Sequence, residues 1–452
     1  VYLQSGCYLS LSRSHSLSLS IYYLSSLSCY RLYPMDPIPL SSNCYIYSLS
    51  SVSNRSVLRP PASERCTPVH LTAVIRHGSR YPTVKNIQRI QRLSELVRRE
   101  AAGGSGGAAQ WLACRLCPWF PGQLVMKGRD DLRWLARRLA LLFPSLLSEE
   151  NVARVSLRSS SKHRCVSSVE AFQDGLQEHW RHLSVSPSAE GQYSHQVDDQ
   201  LMRFFERCRG YVEGVEKNRT ALLEVEKFKH GKEMEAVRRR VALNEDCPCV
   251  RPVDLVEAAF FLCSYELSIK SLHSPWCFLF DEDDAKVLEY KSDLKQYWKR
   301  SHGHVISGLS SCPLFHHVFR TLDKAGRPRR SPASILVGHA ETLLPLLSLL
   351  GLYKDQTPPT ADNYRTQHGR SFRSGLIVPY AANLLFVLYD CQRGPRLQLL
   401  INESPVRFPG LETEDAPLYR DVRATYRHLL DGCDFERECE GRPVGRGPNT
   451  EL

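Results

Sequence analysis

The chain has 452 residues, 16 cysteines and a formal net charge of +11 at pH 7. This length allows a large core, and the basic surplus suits a polyanionic partner such as nucleic acid, a membrane surface or a polyphosphorylated metabolite. The sequence has neither zinc-finger spacing nor a basic stripe interleaved with aromatics, which disfavours nucleic acid, and no apolar run is long enough for an integral membrane segment.

The cysteine content is typical of a protein from an oxidising compartment, because cytosolic thiols stay reduced. Acceptor triplets for N-glycosylation at Asn54 and Asn218 agree with this, and a poorer one at Asn402 is followed by Pro405. We therefore expect a glycoprotein of the secretory pathway, either in the endoplasmic reticulum lumen or secreted.

Residues 1–60 begin with a low-complexity stretch of Ser, Leu and Tyr at 1–34, which has no methionine; the first methionine is Met35. We expect this segment to be disordered or an artefact of gene prediction, and we leave it out of the predicted fold.

The first predicted strand covers residues 69–75, where apolar side chains alternate and then become continuous. A turn through Gly78 follows, and then a helix begins near Val84 with apolar residues every three or four positions. Between strand and helix lie Arg76, His77 and Arg80. Two guanidinium groups and an imidazole beside a helix N-terminus form a place for a phosphate, but such a motif by itself is more often a solvated basic loop.

The same pattern of strand, polar loop and helix occurs twice more. A strand predicted over residues 152–158 precedes a loop that leads to Arg164, and Arg158 at its end suits a supporting salt bridge. A strand at residues 335–337 precedes His339 and Glu341. In such sheets, ligands bind beyond the carboxyl ends of the strands, so we expect these loops to form one site.

The remaining patterns predict a domain organisation. Residues 175–310 are mostly charged and helical, while residues 384–389 and 396–401 form a predicted hairpin. We predict an α/β core formed by residues 61–174 and 311–440, a helical lobe at 175–310 and a C-terminal tail at 441–452.

The motif R-H-G-x-R-x-P at residues 76–82, followed by H-A-E at 339–341, resembles the histidine acid phosphatases, in particular the multiple inositol polyphosphate phosphatase branch. Matching blocks also occur at residues 160–165, 201–205, 284–290 and 372–380. The resemblance spans Cys66 to about Cys439. It implies a phosphoglycerate-mutase-like three-layer α/β sandwich with an inserted helical lobe.

The resemblance also implies roles for these residues. His77 would be the nucleophile that forms a phosphohistidine, and His339 would be a further donor to the phosphate. Arg76, Arg80 and Arg164 would hold the three equatorial oxygens of the transferring phosphoryl group.

Glu341 would be the proton donor, although most of the wider family has Asp directly after the second histidine, where this chain has Ala340. The alternative for Glu341 is a helix-terminal carboxylate that only favours the helix dipole. Lys85 and Lys162 are candidate contacts to outer phosphates. Because three arginines can neutralise a phosphate, we expect no metal and no cofactor.

The implied function is hydrolysis of phosphate esters in inositol polyphosphates such as phytate, and also in 2,3-bisphosphoglycerate. The alternatives are a broad-specificity secreted acid phosphatase, a phosphate-transferring mutase and a non-catalytic anion-binding protein. The expected partner is a small polyphosphorylated substrate, and the sequence does not give an oligomeric state.

Three disulfide bonds are hypotheses at this point, since connectivity does not follow from sequence. Cys263 with Cys277 and Cys433 with Cys439 are close enough along the chain to pair locally. Cys66 with Cys391 would tie the first strand to the end of the sheet.

Overall fold

The computed structural model describes residues 65–103, 120–183, 194–242, 252–270, 274–325 and 331–440. The predicted N-terminal segment 1–60 and the tail 441–452 lie outside the described residues. Within them, one seven-stranded sheet is combined with many helices, as the α/β prediction requires. Among these residues, no helix is both long and apolar enough to cross a membrane.

The strands follow the order β3-β2-β4-β1-β5-β6-β7 in the sheet. They are β1 (Cys66–Arg76), β2 (Ser156–Ser159), β3 (His195–Val197), β4 (Ala333–Gly338), β5 (Asn383–Cys391), β6 (Arg396–Ile401) and β7 (Ser404–Val406). Strands β1 to β4 pair in parallel, whereas β5, β6 and β7 join in antiparallel fashion.

The longer α-helices are α1 (Val84–Gly103), α2 (Met126–Leu142), α3 (His163–Leu183), α4 (Leu223–Lys229), α5 (Lys232–Ala242), α6 (Val253–Lys270), α7 (Glu282–Arg300), α8 (Cys312–Lys324), α9 (Ala340–Leu349) and α10 (Tyr419–Thr425). Shorter helical segments lie at Asp199–Met202, Phe204–Arg207, Arg209–Tyr211, Val305–Leu309, Ser374–Ile377, Arg427–Gly432 and Phe435–Glu440. A π-helix covers Val212–Glu216, and 3₁₀-helices cover Glu149–Arg154, Arg219–Leu222, Pro275–Leu279 and Tyr364–Thr366.

Strand β1 is central and buried on both faces, as its nearly continuous apolar sequence predicts. Leu71, Ala73 and Ile75 face a cluster that includes apolar residues of α2 and α3. Val74 faces the opposite cluster, which includes residues of α8 and α9. The alternation of side chains along a strand thus gives the sheet two helical layers, one on each face.

The carboxyl ends of β1, β2 and β4 lie together at one edge of the sheet. Arg76 is in register with Gly338, and Ser159 is in register with Val337. The three polar loops that follow these strands are therefore neighbours, as the sequence predicts.

The helix after β1 differs from the expected β-α-β arrangement. The apolar face of α1 (Ile90, Leu93 and Val97) shares a cluster with residues of α4, α5, α6 and α7 and does not pack on the sheet. The sheet face is instead covered by α2 and α3, whose mutual contact is extensive. The proposed division into core and lobe stays a prediction.

Two of the three disulfide hypotheses are confirmed. Cys66 bonds Cys391, its register partner across the β1–β5 pair. Cys263 of α6 bonds Cys277 in the following 3₁₀-helix.

The proposed bond between Cys433 and Cys439 is wrong. Cys433 bonds Cys312 at the start of α8, and its carbonyl oxygen accepts a hydrogen bond of 2.9 Å from the His316 ring of the same helix. Cys439 bonds Cys208. The C-terminal helices lie against the rest of the fold, so these two cysteines pair with distant partners instead of with each other.

Candidate active site

The loop after β1 is fixed by a close backbone contact with α2. A Cβ on Gly78 would lie 2.3 Å from the Gly128 carbonyl oxygen, and one on Gly128 would lie 2.2 Å from the Ser79 carbonyl oxygen. Gly78 does not have a positive φ. Glycine is therefore needed here for close packing, and not for the tight turn that the sequence suggests. The Gly78 amide also donates to Ser168 Oγ of α3 at 3.1 Å.

His77 lies buried at the end of β1, and its ring nitrogens differ in environment. Nδ1 is 2.9 Å from the Gly78 carbonyl oxygen, which can only accept, so Nδ1 carries the proton. Burial, followed by the charges of Arg76 and Arg164, holds the pKa of His77 well below its usual value. The ring is therefore neutral, and the lone pair of Nε2 is available for attack on an electrophile.

His339 lies opposite, with its ring centroid 5.5 Å from that of His77. Arg164 Nη2 lies 3.2 Å from His339 Nδ1, and a guanidinium can only donate, so Nδ1 is the acceptor. His339 Nε2 then donates to Ser160 Oγ, 2.9 Å away. Burial and the charge of Arg164 lower the pKa of His339 to about 3. The two histidines are thus held as opposite tautomers.

Three arginines, Arg76, Arg80 and Arg164, lie around His77. Arg76 donates to the Val378 carbonyl oxygen and lies 4.3 Å from the centroid of the Tyr380 ring, while Arg80 donates to the Tyr81 carbonyl oxygen at 2.8 Å. The Nε atoms of Arg76, Arg80 and Arg164 are buried without a hydrogen-bond partner in the part of the chain that the structure describes. Such donors favour an anionic ligand, because unpaired buried polar groups are costly.

Glu341 lies in the first turn of α9 and is ion-paired with Arg300 at the end of α7. The distance between Arg300 Nη2 and Glu341 Oε1 is 2.7 Å. Burial raises the pKa of Glu341, but the charge of Arg300, followed by interactions with His339, a backbone hydrogen bond and the charge of Arg76, outweighs this effect and lowers the pKa to about 2. Glu341 is therefore ionised in the free protein and does more than favour the helix dipole.

The two predicted lysine contacts lie at the periphery of this arrangement. Lys85 is exposed in the first turn of α1, and Lys162 is exposed just before α3. Their contact with outer phosphates stays a prediction. Arg158 forms the predicted supporting salt bridge, with its Nη1 atom 2.7 Å from Asp198 Oδ2.

Several residues of the site were not found from the sequence. Tyr380 covers Arg76 and His77, with its ring centroid 5.7 Å from that of His77. Arg300 comes from a helix that is charged throughout, so no local signal distinguishes it. Cys165 is buried with its Sγ atom 3.7 Å from His339 Nε2, and burial raises its pKa to about 11.

A cleft of about 180 Å³ opens beside Arg76, between the sheet edge and the helices α6 and α7. Its lining includes Lys127, Tyr265, Gln296 and Tyr380. No group of three metal-binding side chains occurs among residues that the structure describes.

Comparison with known proteins agrees with this geometry. The family model described as the histidine phosphatase superfamily, branch 2, matches residues 69–406. The chain belongs to this superfamily. It is 44% identical to human "Multiple inositol polyphosphate phosphatase 1", across 96% of this chain and 97% of that protein. The resemblance inferred from the motifs and the predicted enzyme class, a histidine acid phosphatase, are confirmed.

Solved structures show the same fold at low sequence identity. A multiple inositol polyphosphate phosphatase from Bifidobacterium longum, in complex with inositol hexasulfate, is 17% identical with a TM-score of 0.65, covering 79% of this chain and 90% of that chain. The phytase from D. castellii is 15% identical with a TM-score of 0.70, covering 83% and 82%. The predicted fold class of this histidine phosphatase is therefore confirmed.

Proposed function

We propose that the protein is a phosphomonoesterase that removes phosphate groups from inositol polyphosphates through a phosphohistidine at His77. The observation that carries this proposal is the state of the His77 ring, which is neutral, has a free Nε2 lone pair and is ringed by three arginines with unpaired Nε donors. The inositol polyphosphate substrate is supported by the printed name of the human relative and by the inositol hexasulfate of the Bifidobacterium complex.

In the first step, Nε2 of His77 attacks phosphorus while the bond from phosphorus to the inositol oxygen breaks. Arg76, Arg80 and Arg164 balance the charge on the phosphoryl oxygens. The Nδ1 proton, bonded to the Gly78 carbonyl, stabilises the positive ring that forms. Glu341, protonated once substrate is bound, gives its proton to the departing oxygen.

In the second step, water attacks the phosphohistidine. The Glu341 carboxylate left by the first step takes a proton from this water, and the bond between phosphorus and Nε2 breaks. Free phosphate and neutral His77 result. Glu341 therefore donates a proton in the first step and accepts one in the second.

The experiment is phosphate release from phytate by the purified, disulfide-bonded protein and by its His77→Ala variant. When a reaction with phosphate-labelled substrate is quenched at high pH, which preserves phosphohistidine, the label should be found on His77, and in the wild type alone. Continued turnover by His77→Ala, or label on another residue, would refute the proposed nucleophile.

The alternative functions predict different outcomes in such assays. A broad-specificity acid phosphatase would show no preference for phytate over simple monoesters, and a mutase would yield an isomer without free phosphate. A non-catalytic anion-binding protein would bind phytate unchanged. A phosphatase that also accepts 2,3-bisphosphoglycerate would release phosphate from both compounds.

The place of action that we propose is the secretory pathway, either the endoplasmic reticulum lumen or outside the cell. Four disulfide bonds among the described residues support an oxidising compartment.

A further inference from the structure

Arg300 lies outside the recognised motifs but reaches the same site. Its Nη1 atom donates to Gln296 Oε1 at 2.6 Å and its Nη2 atom to Glu341 Oε1 at 2.7 Å. Its Nε atom is buried and has no partner among the residues described. Arg300 shares this last feature with Arg76, Arg80 and Arg164, the proposed phosphate ligands, and also with Arg133 and Arg158 outside the site.

The position of Arg300 follows from its partner. The proton donor must face the oxygen that leaves, so a guanidinium bonded to Glu341 lies on the leaving-group side of the phosphorus. Gln296, its other partner, and Ala340, which precedes Glu341, both line the cleft beside Arg76. The cleft therefore continues from the catalytic loops toward Arg300.

The local charge is unbalanced. Four guanidinium groups face each other across the site, and Glu341 can neutralise only one of them. Three suffice for the oxygens of the phosphoryl group that is transferred. The fourth has charge and hydrogen-bonding capacity for a second anionic group on the substrate.

We propose that Arg300 is a specificity-determining residue. When substrate binds, the ion pair of Arg300 with Glu341 is replaced by an ion pair with a phosphate group on the leaving inositol, next to the phosphate that is cleaved. This inference rests on the proposed function and names how the same site selects polyphosphorylated leaving groups. A monoester without a neighbouring anion leaves the Arg300–Glu341 pair intact.

The exchange also affects the proton donor. Glu341 is faced by Arg300 from α7 and by His339 at the start of its own helix. The other arginines that act on it are Arg76, Arg80 and Arg164, and the neutral groups are Tyr211 and Cys165. In the free protein, Arg300 and the other arginines contribute to keeping the pKa of Glu341 at about 2. Bound phosphates neutralise them and place negative charge nearby, so the pKa of Glu341 rises. Substrate binding thus leads Glu341 to take up a proton from the solvent.

The first experiment compares Arg300→Gln with wild type on phytate and on glycerol 2-phosphate. Both have alkoxide leaving groups that need a proton, but only phytate has neighbouring phosphates. We expect kcat/KM for phytate to fall roughly 10- to 100-fold, the range for one charge-assisted contact, and for glycerol 2-phosphate to change by less than about 3-fold. Lys299→Gln is the matched control, since Lys299 precedes Arg300 and pairs with Glu216 at 2.9 Å. It should leave the substrate ratio unchanged.

The second experiment needs no Arg300 variant. Calorimetry in buffers of different ionisation enthalpy measures proton uptake when inositol hexasulfate, whose sulfates do not titrate, binds at pH 5. We expect wild type to take up as much as about one proton more than Glu341→Gln does. Equal uptake by the two proteins would overturn the exchange.

The results of these experiments distinguish failure of the Arg300 proposal from failure of the proposed phosphatase function. Equal losses on phytate and glycerol 2-phosphate in Arg300→Gln would mean that Arg300 only positions Glu341, and no loss on either would mean that it contacts no phosphate. Either result overturns the inference while phytate hydrolysis by wild type stands. Failure of His77→Ala to lose activity would instead overturn the proposed function.

Discussion

The two histidines of the site are distinguished by single hydrogen bonds. The Gly78 carbonyl fixes the proton of His77 on Nδ1, whereas Arg164 fixes the lone pair of His339 on Nδ1. Burial and surrounding cations lower the pKa of both rings. In mildly acidic solution the free protein therefore keeps both rings neutral, which suits the proposed role of His77 as a nucleophile.

A prediction for Glu341 follows from its proposed role as proton donor. An inositol alkoxide needs a proton as it leaves, but a nitrophenolate does not. Glu341→Gln should lower kcat/KM for phytate by ~10²–10⁴-fold and affect p-nitrophenyl phosphate far less. Steady-state kinetics on the two substrates test this. Equal losses would show that Glu341 only shapes the site, and the proton donor would be another group.

The arginines also lead to a prediction about metals. If Arg76, Arg80 and Arg164 supply the positive charge for the phosphoryl group, phytate hydrolysis should be unchanged after dialysis against EDTA. The measurement is phosphate release before and after chelation. Loss of turnover that one added metal ion restores would contradict the expectation.

At the scale of elements, buried ion pairs join helix α7 to the segment at residues 370–374. Asp293 accepts hydrogen bonds from the Ser374 amide at 2.8 Å and from Arg370 at 2.5 Å, and Glu289 pairs with Arg373 at 2.8 Å. These bonds hold the segment that continues to Val378 and Tyr380. Since Val378 accepts from Arg76, the ion pairs position a proposed catalytic arginine from a distance.

We expect Asp293→Ala to destabilise the fold by about 3–5 kcal/mol, because it leaves the buried Arg370 without its main partner. Activity on phytate and on p-nitrophenyl phosphate should fall together, since both depend on Arg76. Denaturant unfolding and kinetics below the transition measure the two effects. Arg407→Ala is the control, because its pair with Asp415 is exposed and should be worth less than about 1 kcal/mol. Similar destabilisation by both variants would contradict the prediction.

At the scale of the whole molecule, stability depends on buried histidines. His70 lies in β1, where Nδ1 donates to the Ser331 carbonyl oxygen at 3.0 Å and Nε2 accepts from Thr72 Oγ1 at 2.9 Å. Burial lowers the pKa of His70 to about 4 from an ordinary value of 6.5. Between these values the unfolded chain binds a proton that the folded protein does not, so stability is lost as the pH falls.

The test is the free energy of unfolding of wild type and His70→Gln from pH 6.5 to pH 4.5. Each histidine of this kind costs about 1.4 kcal/mol per pH unit below 6.5. The variant should therefore lose stability less steeply than wild type, whatever its stability at pH 6.5. Parallel slopes would mean that His70 does not contribute to acid sensitivity.

The sequence by itself determined the parts of the fold that follow from local pattern. Alternating apolar residues predicted β1 and the β5–β6 hairpin, and three strand ends followed by polar loops predicted one sheet edge. The loops bring His77, Arg164 and His339 together there, as expected, while their chemical roles stay predictions. These features are readable because strand periodicity and chain order are local properties.

Only the tertiary structure decided which distant groups meet. Cys433 and Cys439 are neighbours in sequence, yet each pairs with a remote cysteine because the C-terminal helices pack against different elements. Helix α1 joins the other helices instead of the sheet. Arg300 meets Glu341 because the end of α7 lies beside the start of α9. Such contacts depend on how helices pack, and the periodicity within each helix does not specify its neighbour.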